Sequence, residues 1–185
     1  KFLLGAIAMT RVYQTSSEVT HASQEEWRHF ARMPLRSMKP EQLFDSVVEA
    51  TGYQFSAPRN SRNVIADMTT TRERFLSRFA DSGPEPTDYQ ASILQALTLM
   101  NGEIVSDSTS IEDSETFRAV MDAPFLDLPA QVETLYLATL SRFPESDERE
   151  EMLEYVQKFP ESDRTAALAN LYWALLNSPE FVLIH

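Results

Sequence analysis

The chain has 185 residues, a hydrophobic fraction of 43%, a charged fraction of 24% and no cysteine. This length is enough to bury a core without a metal or a disulfide, and the lack of cysteine excludes thiolate nucleophiles, thiolate zinc sites and covalently attached haem. The net charge of −12 is uneven, because residues 1–80 contain 11 basic and 8 acidic residues and residues 81–185 contain 5 and 20. The acidic half argues against nucleic-acid binding, which needs clustered lysine and arginine.

The N-terminal run "FLLGAIAMTRVY" (residues 2–13) places apolar side chains at helical spacing. It lacks a signal-peptide cleavage pattern, and no segment of the sequence has the roughly 18–20 apolar residues that span a bilayer. We interpret it as a helix whose partner elements lie upstream. Ser23 and Glu26 have the spacing of a capping box, which predicts a second helix from Gln24 to Pro34.

The run "KPEQLFDSVVEATG" predicts a helix with Pro40 in its first turn and Gly52 as its C-terminal stop. Residues 53–69 have no sustained period and predict a loop, with room for one short strand. Thr70 and Glu73 form a capping pair for a helix in "TTRERFLSRFA". The rigid stretch "DSGPEP" (residues 81–86) is the best candidate for an internal boundary.

"TDYQASILQALTLMNG" predicts a helix that ends at Asn101-Gly102, and "SETFRAVM" predicts a short one, before a loop framed by Pro124 and Pro129. Three more helices follow in "AQVETLYLATLSRF", "SDEREEMLEYVQKF" and "SDRTAALANLYWALLNSPEF", with starts at Ser146 and Ser162 for the last two. Their short connections predict antiparallel neighbours. Ser178 then caps a final turn.

The apolar C-terminal residues repeat at the helical period, which predicts interior packing rather than a lipid anchor; they include Leu171, Tyr172, Leu175 and Phe181. We therefore expect one all-α domain over residues 1–185, with a possible subdivision near 81–86. It should be a multi-helix bundle of about seven to nine helices, with the last three antiparallel.

No motif for a reaction or a cofactor is found. His21, His29 and His185 belong to no zinc signature, and "DSTSIEDSE" lacks the glycine and the alternating acids of a calcium loop. There is no nucleophile elbow and no phosphate loop. We assign no catalytic, metal or cofactor residue and favour a non-enzymatic role for the chain.

One basic feature suggests binding. Seven arginines that suit bidentate recognition of carboxylate, sulfate or phosphate are Arg28, Arg32, Arg36, Arg59, Arg62, Arg72 and Arg78. If they converge, they form a surface for an acidic glycan or for an acidic partner. The simpler alternative is that they pair with the acidic half of the same chain.

A family resemblance rests on five blocks in order: "LLGAIAMTRVYQTSS", "RMPLRSMKPEQLFDSVVEATG", "ILQALTLMNGEIV", "VETLYLATLSRFPESDEREEMLEYV" and "ALANLYWALLNSPEFVLIH". Together they resemble the C-terminal region of Planctomycete-type secreted proteins, a domain of unknown function numbered fifteen-fifty-three. The resemblance implies an extracytoplasmic (periplasmic or secreted) location and a place in a larger protein, after upstream domains that in some members include a c-type haem module. Some relatives carry cysteines where this chain has "LSRFADSGPEPTDYQ". The family supplies no catalytic residues.

Two functions remain open. The first is a helical module that packs against an N-terminal domain of the same protein or against another protein. The second is a substrate-contacting part of a polysaccharide-acting hydrolytic or redox enzyme. A module predicts an exposed apolar patch near the start of the chain, whereas an enzyme part predicts a concave pocket lined by several of the arginines, with an acid or an aromatic nearby.

Overall fold

The computed structural model describes residues 1–24, 26–33, 36–53, 71–77, 109–111 and 113–184. Its helices, in chain order, are α1 (Phe2–Ala8), α2 (Pro40–Thr51), α3 (helical residues 71–77), α4 (Glu115–Asp122), α5 (Leu128–Leu140), α6 (Ser146–Gln157), α7 (Arg164–Leu176) and α8 (Pro179–Val182). Two short strands, β1 (Arg36–Ser37) and β2 (Leu183–Ile184), pair antiparallel. The all-α bundle is confirmed. The predicted loop after Tyr53, the Thr70 cap, the boundary at 81–86 and the helix before Asn101-Gly102 lie outside the described residues.

The predicted helix from Gln24 to Pro34 was wrong. The described residues of this stretch, 22–24 and 26–33, form two 3₁₀ turns, Ala22–Gln24 and Trp27–His29, in place of an α-helix. The Gln24 carboxamide oxygen accepts from the backbone N–H groups of Thr20 (2.7 Å) and His21 (3.0 Å). Phe30 has a positive φ of 47°, which cannot lie inside an α-helix. Side-chain bonds to the local backbone therefore replace the helical ladder.

The first helix is also shorter than predicted, because α1 ends at Ala8 rather than near Tyr13. The Thr10 hydroxyl donates to the Ile7 carbonyl at 2.8 Å and accepts from the Tyr13 N–H at 3.3 Å. These bonds close turns where the sequence period alone would continue the helix.

Helix α2 agrees with the prediction at both ends. Pro40 is its first residue, and Gly52 follows it in the left-handed conformation, with φ 58°. An L side chain at this position would be strained, and an added Cβ would lie 3.1 Å from the Glu115 Cβ. The glycine therefore lets the chain leave α2 directly beside the start of α4.

The last three long helices pack on one another as predicted, and their short connections make successive helices antiparallel. Their starts are slightly shifted. Glu145 rather than Ser146 caps α6, in a capping box with Glu148, and a 3₁₀ turn (Glu161–Asp163) precedes α7. Pro129 lies in the first turn of α5 instead of in the preceding loop.

The C-terminal apolar residues are core, as predicted. Leu171, Tyr172, Leu175 and Phe181 are 3%, 0%, 7% and 5% exposed. They belong to two clusters of buried side chains, one among α4 to α7 and one among α2, α3, α7 and α8. The final turn begins as expected, because the Ser178 hydroxyl accepts from the Phe181 N–H.

Two buried hydroxyls join the clusters at the end of α2. The Tyr172 hydroxyl donates to the Ala50 carbonyl at 2.7 Å, and the Ser114 hydroxyl donates to the Thr51 carbonyl at 2.8 Å. Burial raises the pKa of Tyr172 above its ordinary value, so this hydroxyl stays protonated as a donor. Carbonyls that a helix end would leave unpaired are thus bonded by residues from α7 and from the cap of α4.

Candidate functional site

Residues 1–33, here called the N-terminal segment, expose an unusual number of large apolar side chains. Helix α1 has no buried residue. Within this segment, nine large hydrophobic side chains are between 47% and 91% exposed: Phe2, Leu3, Leu4, Ile7, Met9, Val12, Tyr13, Val19 and Phe30. Isolated exposed hydrophobic residues are common on proteins, but a contiguous group marks an interaction surface.

The segment is held in shape by Arg32. Its Nε donates to the Gln24 carbonyl at 3.2 Å and its Nη1 donates to the Ser17 carbonyl at 3.3 Å. The Met33 N–H donates to the Ser16 carbonyl at 3.0 Å. One guanidinium therefore ties the two arms of a loop together, which fixes the surface without burying it.

A cavity of about 400 Å³, here called the N-terminal cavity, opens inside this segment. Its wall is mainly apolar and is formed by Ile7, Val12, Tyr13, Phe30, Ala31 and Met33. The charged groups that line it are Glu26, Arg32 and Arg36. Both features that distinguished the two functional hypotheses, an exposed apolar patch and a concave arginine-lined pocket, thus occur at the same place.

The four predicted arginines that the structure describes do not all lie at one place. Arg32 and Arg36 line the cavity, whereas Arg28 forms an exposed ion pair with Glu26 at 3.7 Å. Arg72 lies elsewhere, 3.6 Å from Asp45 and over the ring of Phe44 at 5.7 Å. Arg59, Arg62 and Arg78 lie outside the described residues. The acids that pair with Arg28 and Arg72, Glu26 and Asp45, both belong to the first 80 residues.

A second cavity of about 530 Å³ lies between α2, the end of α5 and α8. Its charged groups are the carboxylates of Asp45, Glu49 and Glu180. Two of them have cationic partners, because Asp45 lies 3.6 Å from Arg72 and Glu180 lies 2.6 Å from Arg142. None of the four predicted arginines that the structure describes lines this cavity.

Sequence reasoning missed the best-formed charged network, which centres on Arg142. Its guanidinium donates to both carboxylate oxygens of Glu148 (2.7 and 2.8 Å) and to both of Glu180 (2.6 and 2.7 Å). It also lies 5.6 Å from the ring centre of Tyr136. The bond from Arg142 lowers the pKa of Glu148 to about 2 and raises that of Arg142. The network connects α5, α6 and α8 and serves the fold.

Neither a metal-binding cluster nor a membrane-spanning helix is found among the residues that the structure describes. No group of three or more His, Asp or Glu side chains there is placed to hold a metal ion. Within the same residues, no helix combines the length and the apolar character that crossing a bilayer requires. His185 lies outside this part of the chain, and His21 bonds the neighbouring Ser23 hydroxyl at 2.9 Å.

Comparisons with known proteins leave the chain unassigned: no family model matches it, and no match was found among curated proteins or solved structures.

Proposed function

We propose that the chain is a non-enzymatic helical module that binds a partner protein through the exposed apolar side chains of its N-terminal segment. One observation carries the proposal. Phe2, Leu3, Leu4 and Met9 are 91%, 69%, 72% and 80% exposed, next to a preformed cavity. Burying one such side chain is worth roughly 1.5–3 kcal/mol, so covering a few of them supplies the core of an interface.

A protein partner fits this surface better than a lipid surface. A bilayer would cover a flat or convex apolar face, whereas the N-terminal segment is concave and has guanidinium groups in its wall. Protein interfaces of ordinary size combine a buried apolar centre with a polar rim, and arginine is enriched in them. The loop that Arg32 ties together is already in place, which reduces the entropy lost on binding.

The experiment is a selection of displayed peptides of about twelve residues against the chain, followed by affinity measurements on the selected peptides. Phe30→Ser removes an apolar wall of the cavity, and Phe125→Ser removes a ring that is even more exposed (83% against 67%) from the link between α4 and α5. We expect Phe30→Ser to weaken binding about tenfold or more and Phe125→Ser to leave it unchanged.

Three results would contradict the proposal. The first is a selection without binders, and the second is equal sensitivity to the two variants. The third is Phe30-dependent flotation with phosphatidylcholine vesicles, which would make the surface a lipid-binding one.

A second candidate is a substrate-contacting part of an enzyme that acts on acidic polysaccharide. It is favoured by one feature, namely that Arg32, Arg36 and Glu26 share the cavity with the rings of Tyr13 and Phe30. Binding to a panel of sulfated and uronic-acid glycans, at low and at raised salt, tests it. Saturable binding that is lost in Arg32→Ala and Arg36→Ala variants supports this candidate, and binding that survives in them discards it.

We also propose an extracytoplasmic location and a place within a larger protein of the Planctomycete-type secreted family. The five ordered sequence blocks support both statements. The chain's lack of cysteine is compatible with export, because a core of this size does not depend on disulfides. Fractionation of cells that express the full gene product tests the location, and recovery only with the cytosol would contradict it.

A further inference from the structure

The N-terminal cavity combines an apolar wall with a positive rim. Arg32 and Arg36 both line it, together with Ile7, Val12 and Phe30. Among the lining residues that the structure describes, the carboxylate is that of Glu26, which forms an ion pair with Arg28, a residue outside the lining. The charge that Arg32 and Arg36 present to a ligand is therefore positive, and the surface around them is mainly apolar.

The two guanidinium groups retain donors for a ligand. Arg32 uses Nε and Nη1 for backbone carbonyls, and no residue in the described ranges accepts a hydrogen bond from its Nη2. Arg36 lies on the exposed strand β1 and forms no ion pair with a residue that the structure describes. Because Arg32 is already fixed by two bonds, its remaining N–H groups lose little freedom when they meet a carboxylate.

From this charge complementarity we infer that the partner contributes an acidic, apolar peptide segment. A large apolar side chain of that segment occupies the N-terminal cavity, and an Asp or Glu carboxylate within about one helical turn of it pairs with Arg32 and Arg36. This inference rests on the proposed function and specifies the chemistry of its partner.

The lining of the cavity disfavours the other acidic ligands. A glycan carries hydroxyl groups around each ring, and the apolar part of the wall, which includes Ile7, Val12 and Phe30, offers those hydroxyls no hydrogen-bond partners. In a peptide segment the apolar side chain and the carboxylate belong to different residues. The apolar side chain can therefore meet the apolar wall while the carboxylate meets the arginines of the rim. In this arrangement the single carboxylate of the peptide needs Arg32 and Arg36 and not the whole predicted set of arginines.

The test begins with peptides selected against the wild-type chain. We expect the selected sequences to share a large apolar residue with an acid three or four positions away. In fluorescence anisotropy, Arg32→Ala and Arg36→Ala should each weaken the best peptide about tenfold or more, since each removes a charge-assisted hydrogen bond. Arg118→Ala removes the same charge from the exposed face of α4 and should have no effect.

A Glu→Gln or Asp→Asn change in the peptide supplies the second half of a double-mutant cycle. It should weaken binding to the wild-type chain about tenfold and have almost no further effect on the double variant Arg32→Ala, Arg36→Ala. Because Arg32 also ties the loop together, Arg36→Ala and Arg32→Lys keep the test valid if Arg32→Ala alters the far-ultraviolet circular dichroism spectrum.

The outcomes separate the two proposals. Peptides that depend on Phe30 but bind equally well without their acid overturn this inference and leave the proposed function standing. A selection without binders overturns both. If sulfated or uronic-acid glycans displace the bound peptide and bind more tightly than any peptide, the ligand of the cavity is a glycan and the inference of a peptide segment is overturned. Concentration-dependent dimers in sedimentation velocity that disappear in Arg36→Ala would make the occupant a second copy of the chain.

Discussion

The hydroxyl of Tyr172 offers the sharpest test of how the two buried clusters are joined. Tyr172 is fully buried, its ring stacks on Phe117 with centroids 5.8 Å apart, and its hydroxyl donates to the Ala50 carbonyl at 2.7 Å. Tyr172→Phe keeps the ring and its packing. It removes the hydroxyl alone, and it leaves a carbonyl at the buried end of α2 without this bond.

The expected cost follows from that geometry. A buried neutral hydrogen bond contributes about 1 kcal/mol net, and a carbonyl left without a partner costs roughly 1–3 kcal/mol. We therefore expect Tyr172→Phe to lower the free energy of unfolding by about 1.5–2.5 kcal/mol. For a chain of this size the melting temperature should fall by about 3–10 °C.

Urea unfolding followed by circular dichroism measures the change, with Tyr155→Phe as the matched control. Tyr155 is half-buried and packs edge-on against Phe159, and its hydroxyl makes no hydrogen bond to a residue of the described part of the chain. The control should change stability by less than about 0.5 kcal/mol. The reasoning is refuted if the two variants are equally stable, or if Tyr172→Phe matches the wild-type chain.

Three further changes test other parts of the fold. Ser114→Ala removes the donor to the Thr51 carbonyl and also the helix cap that accepts from the Phe117 N–H at 3.0 Å. It should lower the free energy of unfolding in urea by about 2 kcal/mol, and a loss below about 0.5 kcal/mol would contradict this expectation. Gly52→Ala should lower the free energy of unfolding by about 1–2 kcal/mol, because φ is left-handed and a Cβ would be crowded. At Gly5 an added Cβ meets no atom within 4 Å, so Gly5→Ala should be neutral or stabilising. Equal effects of the two substitutions would refute this reasoning. Glu148 has a folded-state pKa of about 2 against an ordinary value of 4.5, so its carboxylate stabilises the fold fully above about pH 4.5 and loses that contribution as the pH falls toward 2. Glu148→Gln should therefore flatten the loss of stability across that window, and an unchanged profile in acid-unfolding measurements would show that the Arg142 network is not responsible.

Periodic apolar stripes predicted the helices well because the information is local. The α2 stripe and the α7 stripe repeat at the helical period, and both are buried where the repeat places them. Pro40, Gly52 and Ser178 mark helix ends through backbone constraints or a cap that depend on their own residue type. Such features need no knowledge of the rest of the fold.

The misses come from contacts that a local pattern does not contain. Ser23 and Glu26 have the spacing of a capping box, but no α-helix follows them. Instead, the Gln24 side chain accepts hydrogen bonds from the backbone N–H groups of Thr20 and His21 and closes a turn. Arg142 and Glu180 are 38 positions apart, so only the packed bundle brings them together. The two-residue pairing of β1 with β2 joins positions 36 and 184, far beyond any sequence window.

Residue chemistry alone points to part of the candidate site. Arginine suits carboxylate recognition wherever it occurs, so the sequence pointed to seven arginines, of which Arg32 and Arg36 line the cavity. The sequence did not indicate that the chain would fold back so that Ile7 and Phe30 share a cavity with them. That arrangement depends on contacts between residues far apart in sequence, which a local pattern does not contain.

The N-terminal cavity is coupled to the core through the short sheet. Arg36 of the cavity rim pairs with Ile184 in β2, and the Met38 N–H donates to the Val182 carbonyl at 2.9 Å. Val182 ends α8, whose Phe181 is buried in the cluster of α2 and α7. Arg36 therefore stands on a strand that is paired with the C-terminal residues of the bundle, while the wall residues before it belong to an exposed loop that Arg32 ties together. A partner that binds here meets a charge held by the short sheet and an apolar wall held by Arg32, so the carboxylate should set the specificity and the apolar side chain should set the strength of binding.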